Sequence, residues 1–401
     1  MRLGLFSPAW PGEDVPNGIV SAVANLKAGL EEVGHHAVVL AEGREPATDC
    51  VRLPPQAPAS LGARILRRFR SPNAELKDMA AALARAASQA AAERAIDGFL
   101  VEETYGWGGL MQPHLAVPVV PVLHGPWFLH QALQSTDATG DEDRRRIAVE
   151  GVALRAAAGV SAPSRDVLDQ TVAYYQLPES LPRAVIPNAI VAGRGVAFDA
   201  LTERERRTLL FVGRFDRHKG GDVMLEAFAH LVAGGADAYL TFVGPDRGCE
   251  TPGRGRVSLA EALAALPGEA RARIDVRGPL PREEVARLRR RHPIAVVASR
   301  YENLNYTLLE TLAVGAAPIC TAVGGPKQVL RDGETGLLVP PEDPQALAAA
   351  CRALLDDPER VRRIGAAARR EALSVFAPAA VARQTVSFVE ECRDALARRR
   401  R

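Results

Sequence analysis

Residues Ser299 to Gly315 read SRYENLNYTLLETLAVG and follow an apolar run over residues 294–298. The run predicts a buried strand, the polar residues after it a loop, and Thr307 onward a helix. Glu302 and Glu310 stand eight positions apart. On one unbroken helix that spacing would separate them by about 12 Å along the axis. With Glu302 in the loop and Glu310 in the first turns of the helix, both carboxylates face a ligand above the strand end, where open parallel sheets bind ligands. The amides of Asn305, Tyr306 and Thr307 point the same way and offer donors to hydroxyl or phosphate oxygens. Two surface acids on a capped helix have the same spacing, so the neighbouring segments decide between the readings.

Upstream, residues 208–212 predict a strand, followed by Gly213-Arg214-Phe215-Asp216-Arg217-His218-Lys219-Gly220-Gly221 and a helix from Asp222. Arg214 and Lys219 therefore sit at a strand end. Two cations and glycine backbone there can grip a diphosphate, with the guanidinium forking onto two oxygens. The G-x4-GK-[ST] pattern of a P-loop is absent. Residues 239–243 predict a further strand, and a less regular segment leads to Ile274-Asp275-Val276-Arg277-Gly278-Pro279-Leu280. Downstream, residues 317–322 predict a strand before Gly324-Gly325-Pro326, which can bring backbone close to a ligand. Helices are expected over 344–356 and 359–375, a break at Pro378, and a last helix over 380–400.

The E-x7-E pair resembles that of the retaining glycosyltransferases of family 4, which have the GT-B fold. The resemblance implies that Glu302 meets hydroxyls of the donor sugar and that Glu310 binds the ribose of the nucleotide. The segment from Gly213 to Gly220 closely resembles the family's "GR…KG" segment, which implies that Arg214 and Lys219 bind the donor pyrophosphate. Gly278 and Leu280 fall where the family packs near the base. The chain departs from the family in reading Asn303-Leu304-Asn305 where many members have Gly-Phe-Gly, and Gln328 where Glu is common. The first departure bears on which sugar is taken more than on the chemistry. The mechanism implied is a front-face displacement assisted by the leaving phosphate.

The first half opens with a strand over 3–7, a loop over 8–17, a helix over 19–32 and a strand over 36–41, a βαβ start without GxGxxG. By the resemblance Gly18 lies close to the donor diphosphate; a glycine that merely allows a tight turn is the alternative. Residues Ser60 to Arg70 form a short basic amphipathic stretch, read either as a solvated helix or as a contact with anionic lipid headgroups. A helix is expected from Ser71-Pro72 to about Ala95. Strands over 96–102 and 117–123 each precede an aromatic, glycine-bearing loop. Trp10, Tyr105, Trp107 and Trp127 lie just past strand ends, placed either to stack on a glycan-like acceptor or to pack the rim. His124 resembles the family histidine that contacts the donor sugar near its reacting carbon. Asp141-Glu142-Asp143 reads as acids at a helix start, not as a metal motif. Pro187-Asn188-Ala189-Ile190 resembles the family's IPNG segment before the interdomain linker.

The length of 401 residues allows two domains, and the net charge of +2 gives no basis for a nucleic-acid partner. Five scattered cysteines lack metal or disulfide spacing and suit a reducing compartment. The start reads as a strand and not a signal peptide, and no stretch reaches membrane-span length. The expected fold class is α/β: two Rossmann-like doubly wound parallel-sheet domains facing a cleft. The expected division is 1–190 for acceptor, 191–200 as linker, 201–376 for nucleotide sugar, and 377–401 as a helix crossing back to the N-terminal domain. The expected activity is retaining transfer from a nucleotide diphosphate sugar to a hydroxyl of a glycan, a lipid-linked or a small-molecule acceptor. Neither cofactor nor metal is expected. The expected setting is bacterial and cytoplasmic, with the inner membrane face reached if Ser60 to Arg70 binds lipid. A sugar-nucleotide epimerase or hydrolase, or a non-catalytic nucleotide-sugar-binding protein, are the alternatives.

Overall fold

In unit one, β1 (Arg2–Ser7), β2 (His36–Ala41), β3 (Cys50–Arg52), β4 (Gly98–Glu102), β5 (Val119–Val122), β6 (Val160–Ala162) and β7 (Arg183–Val185) make one parallel sheet in the order β3-β2-β1-β4-β5-β6-β7. The computed structural model describes residues 1–10, 17–41, 49–53, 72–103, 106–129, 140–251 and 255–401. The chain divides into two units, Met1–Ala189 with Pro378–Arg401, and Ile190–Ala377.

Strand alternation builds the first core on both faces of its sheet. Leu3 and Leu5 pack with Val23 and Leu30 of the helix Gly18–Glu32 and with Val386 and Val389 of the last helix, Pro378–Arg399. Phe6, Phe99 and Val101 face the other way, toward Leu83 and Ala87 of the helix Pro72–Arg94. A Cβ at Gly4 would lie 2.2 Å from the Phe99 ring, so only glycine leaves that ring its place. The last helix belongs to the first unit, as the fold class predicts. Its Pro378 does not break the chain but opens the helix, where a missing N–H costs nothing.

The second unit holds β8 (Thr208–Val212), β9 (Tyr239–Val243), a small antiparallel pair β10 (Cys249–Thr251) and β11 (Gly255–Val257), then β12 (Ile274–Gly278), β13 (Ile294–Val297), β14 (Ala317–Thr321) and β15 (Leu337–Val339). Its parallel sheet runs β12-β9-β8-β13-β14-β15. Leu209 and Phe211 face the helices Gly221–Ala233 and Pro344–Leu355, while Leu210 faces Val285 and Leu288 of the helix Arg282–Arg291. Residues 191–200 are held to this unit: Val196 N donates to Val314 O at 2.7 Å, and Phe198–Ala200 form a 3₁₀ turn.

Strand order reverses between β1 and β4 in one sheet and between β8 and β13 in the other. The crevice at the carboxyl ends of such a switch point is where open α/β sheets take their ligands.

Candidate functional site

Lys219 leaves the end of β8 and Glu302 the end of β13, and they meet at the second switch point. Lys219 Nζ lies 2.5 Å from Glu302 Oε1, which also accepts from Ser299 Oγ at 2.7 Å. Glu302 is buried, and burial pushes its carboxyl up, but the Lys219 charge, then His218 and the hydrogen bonds from Lys219 and Ser299, outweigh this and hold it below the usual range. The result is a buried, ionised carboxylate. Beside it the helix Tyr306–Val314 begins, one residue earlier than the sequence predicts, capped by Asn305, whose Oδ1 accepts from Leu308 N at 2.7 Å. Asn305 Nδ2 is buried and has no protein partner. Lys219, Ser299, Glu302, Asn305 and Thr307 line one small cavity.

The loops after β8 and β13 are laced together. His218 Nε2 donates to Tyr301 O at 2.8 Å, and Arg300 N donates to His218 O at 2.9 Å. The acceptor is a carbonyl, so the bond fixes the Nε2–H form. Burial, then Lys219, lowers the His218 pKa and favours the neutral ring. Arg300 forks onto Asp222 at 2.8 and 2.9 Å and reaches Glu342 at 2.7 Å. Gly220 has φ +68°, and a Cβ there would lie 1.9 Å from Ala298 O. A Cβ at Gly324 would lie 1.9 Å from Glu302 O. Gly324 and Gly325 thus bring backbone close to the Glu302 loop itself.

Asp216 ties the Arg214 guanidinium to the backbone of Lys219. Its Oδ2 accepts from Arg214 Nε at 2.6 Å and its Oδ1 from Lys219 N at 2.8 Å. Arg214 stays exposed at the surface of this loop. Gly213 N donates to Val243 O, and the Gly213 carbonyl packs against Gly244. Glu310, in the second turn of its helix, pairs with Arg289 at 2.9 Å. Arg289 is 3 % exposed, also donates to Thr311 Oγ1 at 3.1 Å, and keeps its Nε unpartnered. Gly278, with φ +59°, receives Gly244 N on its carbonyl, and Leu280 packs by Leu210 and Val243.

In the first unit His124 is partly buried just past β5, and burial lowers its pKa to about 4. Its backbone N donates to Glu103 Oε2 at 2.9 Å, and Gly125 N to Glu103 Oε1 at 2.6 Å. Trp127 N donates to Glu150 Oε2 at 2.9 Å. Two buried carboxylates thus hold the loop carrying His124. Burial raises both; Glu150 reaches about 7, with the Trp127 amide opposing and Glu103 adding to the rise. The Trp127 ring is committed inside the protein: Nε1 donates to Asp143 at 2.8 Å and the Arg146 guanidinium lies 3.7 Å from the ring centre. Trp107, expected in a rim loop, opens the short helix Trp107–Met111 and packs against the core, because Gly108 lets that helix approach Val101 and Pro121 of the sheet and Gly109 lets it approach Ala153 of the helix Asp141–Ala156. Trp10 packs beside the Leu3 cluster. Asp141, Glu142 and Asp143 form the first turn of their helix as expected. Gly18 is exposed at the start of its helix, next to the Asn17 cap. Tyr105 and the stretch from Ser60 to Arg70 lie outside the described residues.

Sequence reasoning missed the parts played by Asp216, Gly220, Arg289, Glu103 and Glu150. Gly220, Arg289, Glu103 and Glu150 are defined by partners remote in sequence, so spacing carried no signal for them, whereas Asp216 bonds its near neighbours Arg214 and Lys219. Among the described residues no three His, Cys, Asp or Glu side chains are grouped to hold a metal ion, and no single helix is long and apolar enough to cross a membrane.

The sequence model of the family described as Glycosyltransferase Family 4 matches residues 16–194, and that of Glycosyl transferases group 1 matches residues 197–371. The D-inositol 3-phosphate glycosyltransferase of Thermobispora bispora is 30 % identical over 301 residues, covering 71 % of this chain and 67 % of that protein. The chain spans about two thirds of the length of the curated relatives it matches. Sucrose-phosphate synthase from Thermosynechococcus elongatus superposes with a TM-score of 0.71 at 23 % identity, covering 98 % of this chain and 99 % of that one. Anabaena Alr3699/HepE in complex with UDP-glucose gives a TM-score of 0.65 at 15 % identity, covering 98 % and 100 %.

Proposed function

We propose that this chain, which belongs to glycosyltransferase family 4 and has the GT-B fold, moves a sugar from a nucleotide diphosphate sugar to an acceptor hydroxyl with retention at the anomeric carbon. The observation that carries the reading is the Lys219–Glu302 pair at the switch point of the second sheet. Glu302, ionised and buried, accepts from hydroxyls of the donor sugar. Lys219 and Arg214 meet the diphosphate oxygens and stabilise the charge that develops as the sugar leaves. The amides at the start of the helix Tyr306–Val314 add donors with a favourable dipole. Glu310 takes the ribose hydroxyls, Gly278 and Leu280 flank the base, and Gly213 and Gly18 lie along the diphosphate. His124 supplies a neutral imidazole near the reacting carbon.

In the step proposed, the acceptor oxygen bonds to the anomeric carbon on the face the diphosphate leaves. The bond from that carbon to the leaving oxygen breaks, and the acceptor proton passes to a phosphate oxygen. Protein cations carry the charge on the diphosphate, so the step runs without a metal. The UDP-glucose complex of the structural neighbour supports the donor class. The bacterial relatives support a role in bacterial glycan, glycolipid or glycosylated-metabolite synthesis. We place the reaction in the cytoplasm, in keeping with five buried free thiols.

The test is product analysis by NMR with donor and acceptor together and with donor alone. A product with the donor's anomeric configuration is expected. An inverted product would contradict retention, and free or epimerised sugar as the sole product would contradict transfer.

A further inference from the structure

His124 sits on a turn in which every backbone N–H from residue 123 to residue 127 has an acceptor. Leu123 N donates to Ser161 O at 2.8 Å, and His124 N to Val122 O at 3.0 Å. Glu103 then grips two successive amides: Oε2 accepts from His124 N at 2.9 Å and Oε1 from Gly125 N at 2.6 Å. Residue 126 is a proline and has no N–H, and Trp127 N donates to Glu150 Oε2 at 2.9 Å. Glu103 reaches the turn because β4 and β5 pair with Glu102 opposite Val122, so the two chains leave the sheet side by side. It is 4 % exposed, and burying a carboxylate there carries a desolvation cost that its two bonds offset only in part, since its pKa stays raised. Two acceptor oxygens at a fixed spacing are what a carboxylate offers and a glutamine does not, because the amide nitrogen is a donor.

We propose that Glu103 is a positioning residue for the transfer step: by holding the amides of His124 and Gly125 it fixes the backbone from which the His124 imidazole reaches the reacting carbon. The inference rests on the role proposed for His124 above. Glu103 touches no substrate and acts only through the turn. The imidazole moves with its own backbone, so a turn that loses one of these bonds displaces the ring. A displacement on the order of 1 Å at a reacting centre is enough to cost about 100-fold in rate.

The test is a double-mutant cycle on the full chain. Release of nucleoside diphosphate is measured from UDP-glucose, GDP-mannose, ADP-glucose and dTDP-glucose, with glycerol as the acceptor alcohol. His124→Ala is expected to lower kcat about 100-fold. Glu103→Gln, which sets an N–H₂ against one of the two amides, is expected to lower it about tenfold or more. Added to His124→Ala, Glu103→Gln should change kcat less than about twofold, because the group it positions is gone. Glu103→Asp keeps both oxygens but draws them back by one methylene; it should fall between wild type and Glu103→Gln and be equally silent beside His124→Ala, which keeps the cycle readable if the glutamine variant does not fold. Losses that multiply in the double variants would make Glu103 a purely structural residue and overturn the proposal, as would wild-type kcat in His124→Ala or in Glu103→Gln. Each of those results comes from an active enzyme and leaves the transferase reading standing. A wild-type chain that releases diphosphate from none of the four donors loses that reading, and the proposal with it.

Discussion

Lys219 Nζ and Glu302 Oε1 lie 2.5 Å apart although their residues are 83 positions apart in the chain. The ends of β8 and β13 are brought side by side by strand pairing, Leu209 opposite Ile294. Removing one member leaves the other's charge inside the protein. Lys219→Ala is expected to lower turnover by about 100-fold or more, the scale of losing one transition-state charge partner. It is also expected to lower Tm, because Glu302 keeps an uncompensated buried carboxylate. The double variant Lys219→Ala/Glu302→Gln should recover Tm but not turnover. Initial rates and thermal melts check this; recovery of both would mean the pair is only structural.

Arg289 holds Glu310 from below through the 2.9 Å ion pair. In Arg289→Met the carboxylate loses its anchor while nothing near the diphosphate changes. KM for the nucleotide sugar should rise about tenfold with kcat within about twofold, the pattern of lost ground-state binding. Steady-state kinetics separate the two. A fall confined to kcat would contradict this place for Glu310.

Gly220 combines φ +68° with a 1.9 Å approach of its would-be Cβ to Ala298 O, whereas Gly235, at φ +79°, has open space. Gly220→Ala should cost distinctly more stability than Gly235→Ala, whose penalty is the backbone conformation alone, about 1 kcal/mol. Equal losses by thermal melt would show that β13 moves aside freely.

Most of the fold was legible because most of its strands are short apolar runs ending in glycine or a polar loop, and the βαβ order follows from that rhythm; the three-residue strands β3 and β15 went unread. The residues proposed for the donor could be picked out because Arg214 with Lys219, and Glu302 with Glu310, keep fixed local spacing at strand ends. What spacing could not carry is pairing across the sheet. Nothing near Arg289 in sequence marks it as the partner of Glu310. Nothing near Glu103 or Glu150 shows that they bind the amides of His124, Gly125 and Trp127. The tryptophans were ambiguous for the same reason: only folding places Arg146 over the Trp127 ring. The hairpin of β10 and β11 was missed because its strands are three residues each, too short for a period to register.

Glu150 gives a pH dependence whose sign is fixed. Its folded pKa is about 7, above the ordinary carboxyl value of 4.5, chiefly through burial. Between those values the folded state holds a proton that the unfolded state has lost, so its contribution to stability falls as pH rises through that window. The slope from this one group approaches about 1.4 kcal/mol per pH unit at most. Glu150→Gln should flatten the decline between pH 4.5 and 7 and leave the variant relatively more stable than wild type at pH 8. Denaturant melts across that range check it; parallel wild-type and variant curves would mean that Glu150 is ionised throughout.

A thermal-shift comparison of the purified chain with UDP-, GDP-, ADP- and dTDP-sugars, alongside Glu310→Ala and Arg214→Ala, tests the donor site most directly. A ligand at 100 times its Kd stabilises the fold by about 2.7 kcal/mol. The expected result is a raised Tm for one nucleotide class, lost in both variants. A shift that survives in both variants, or no shift with any of the four classes, would contradict a nucleotide-sugar site built from Arg214, Lys219, Glu302 and Glu310.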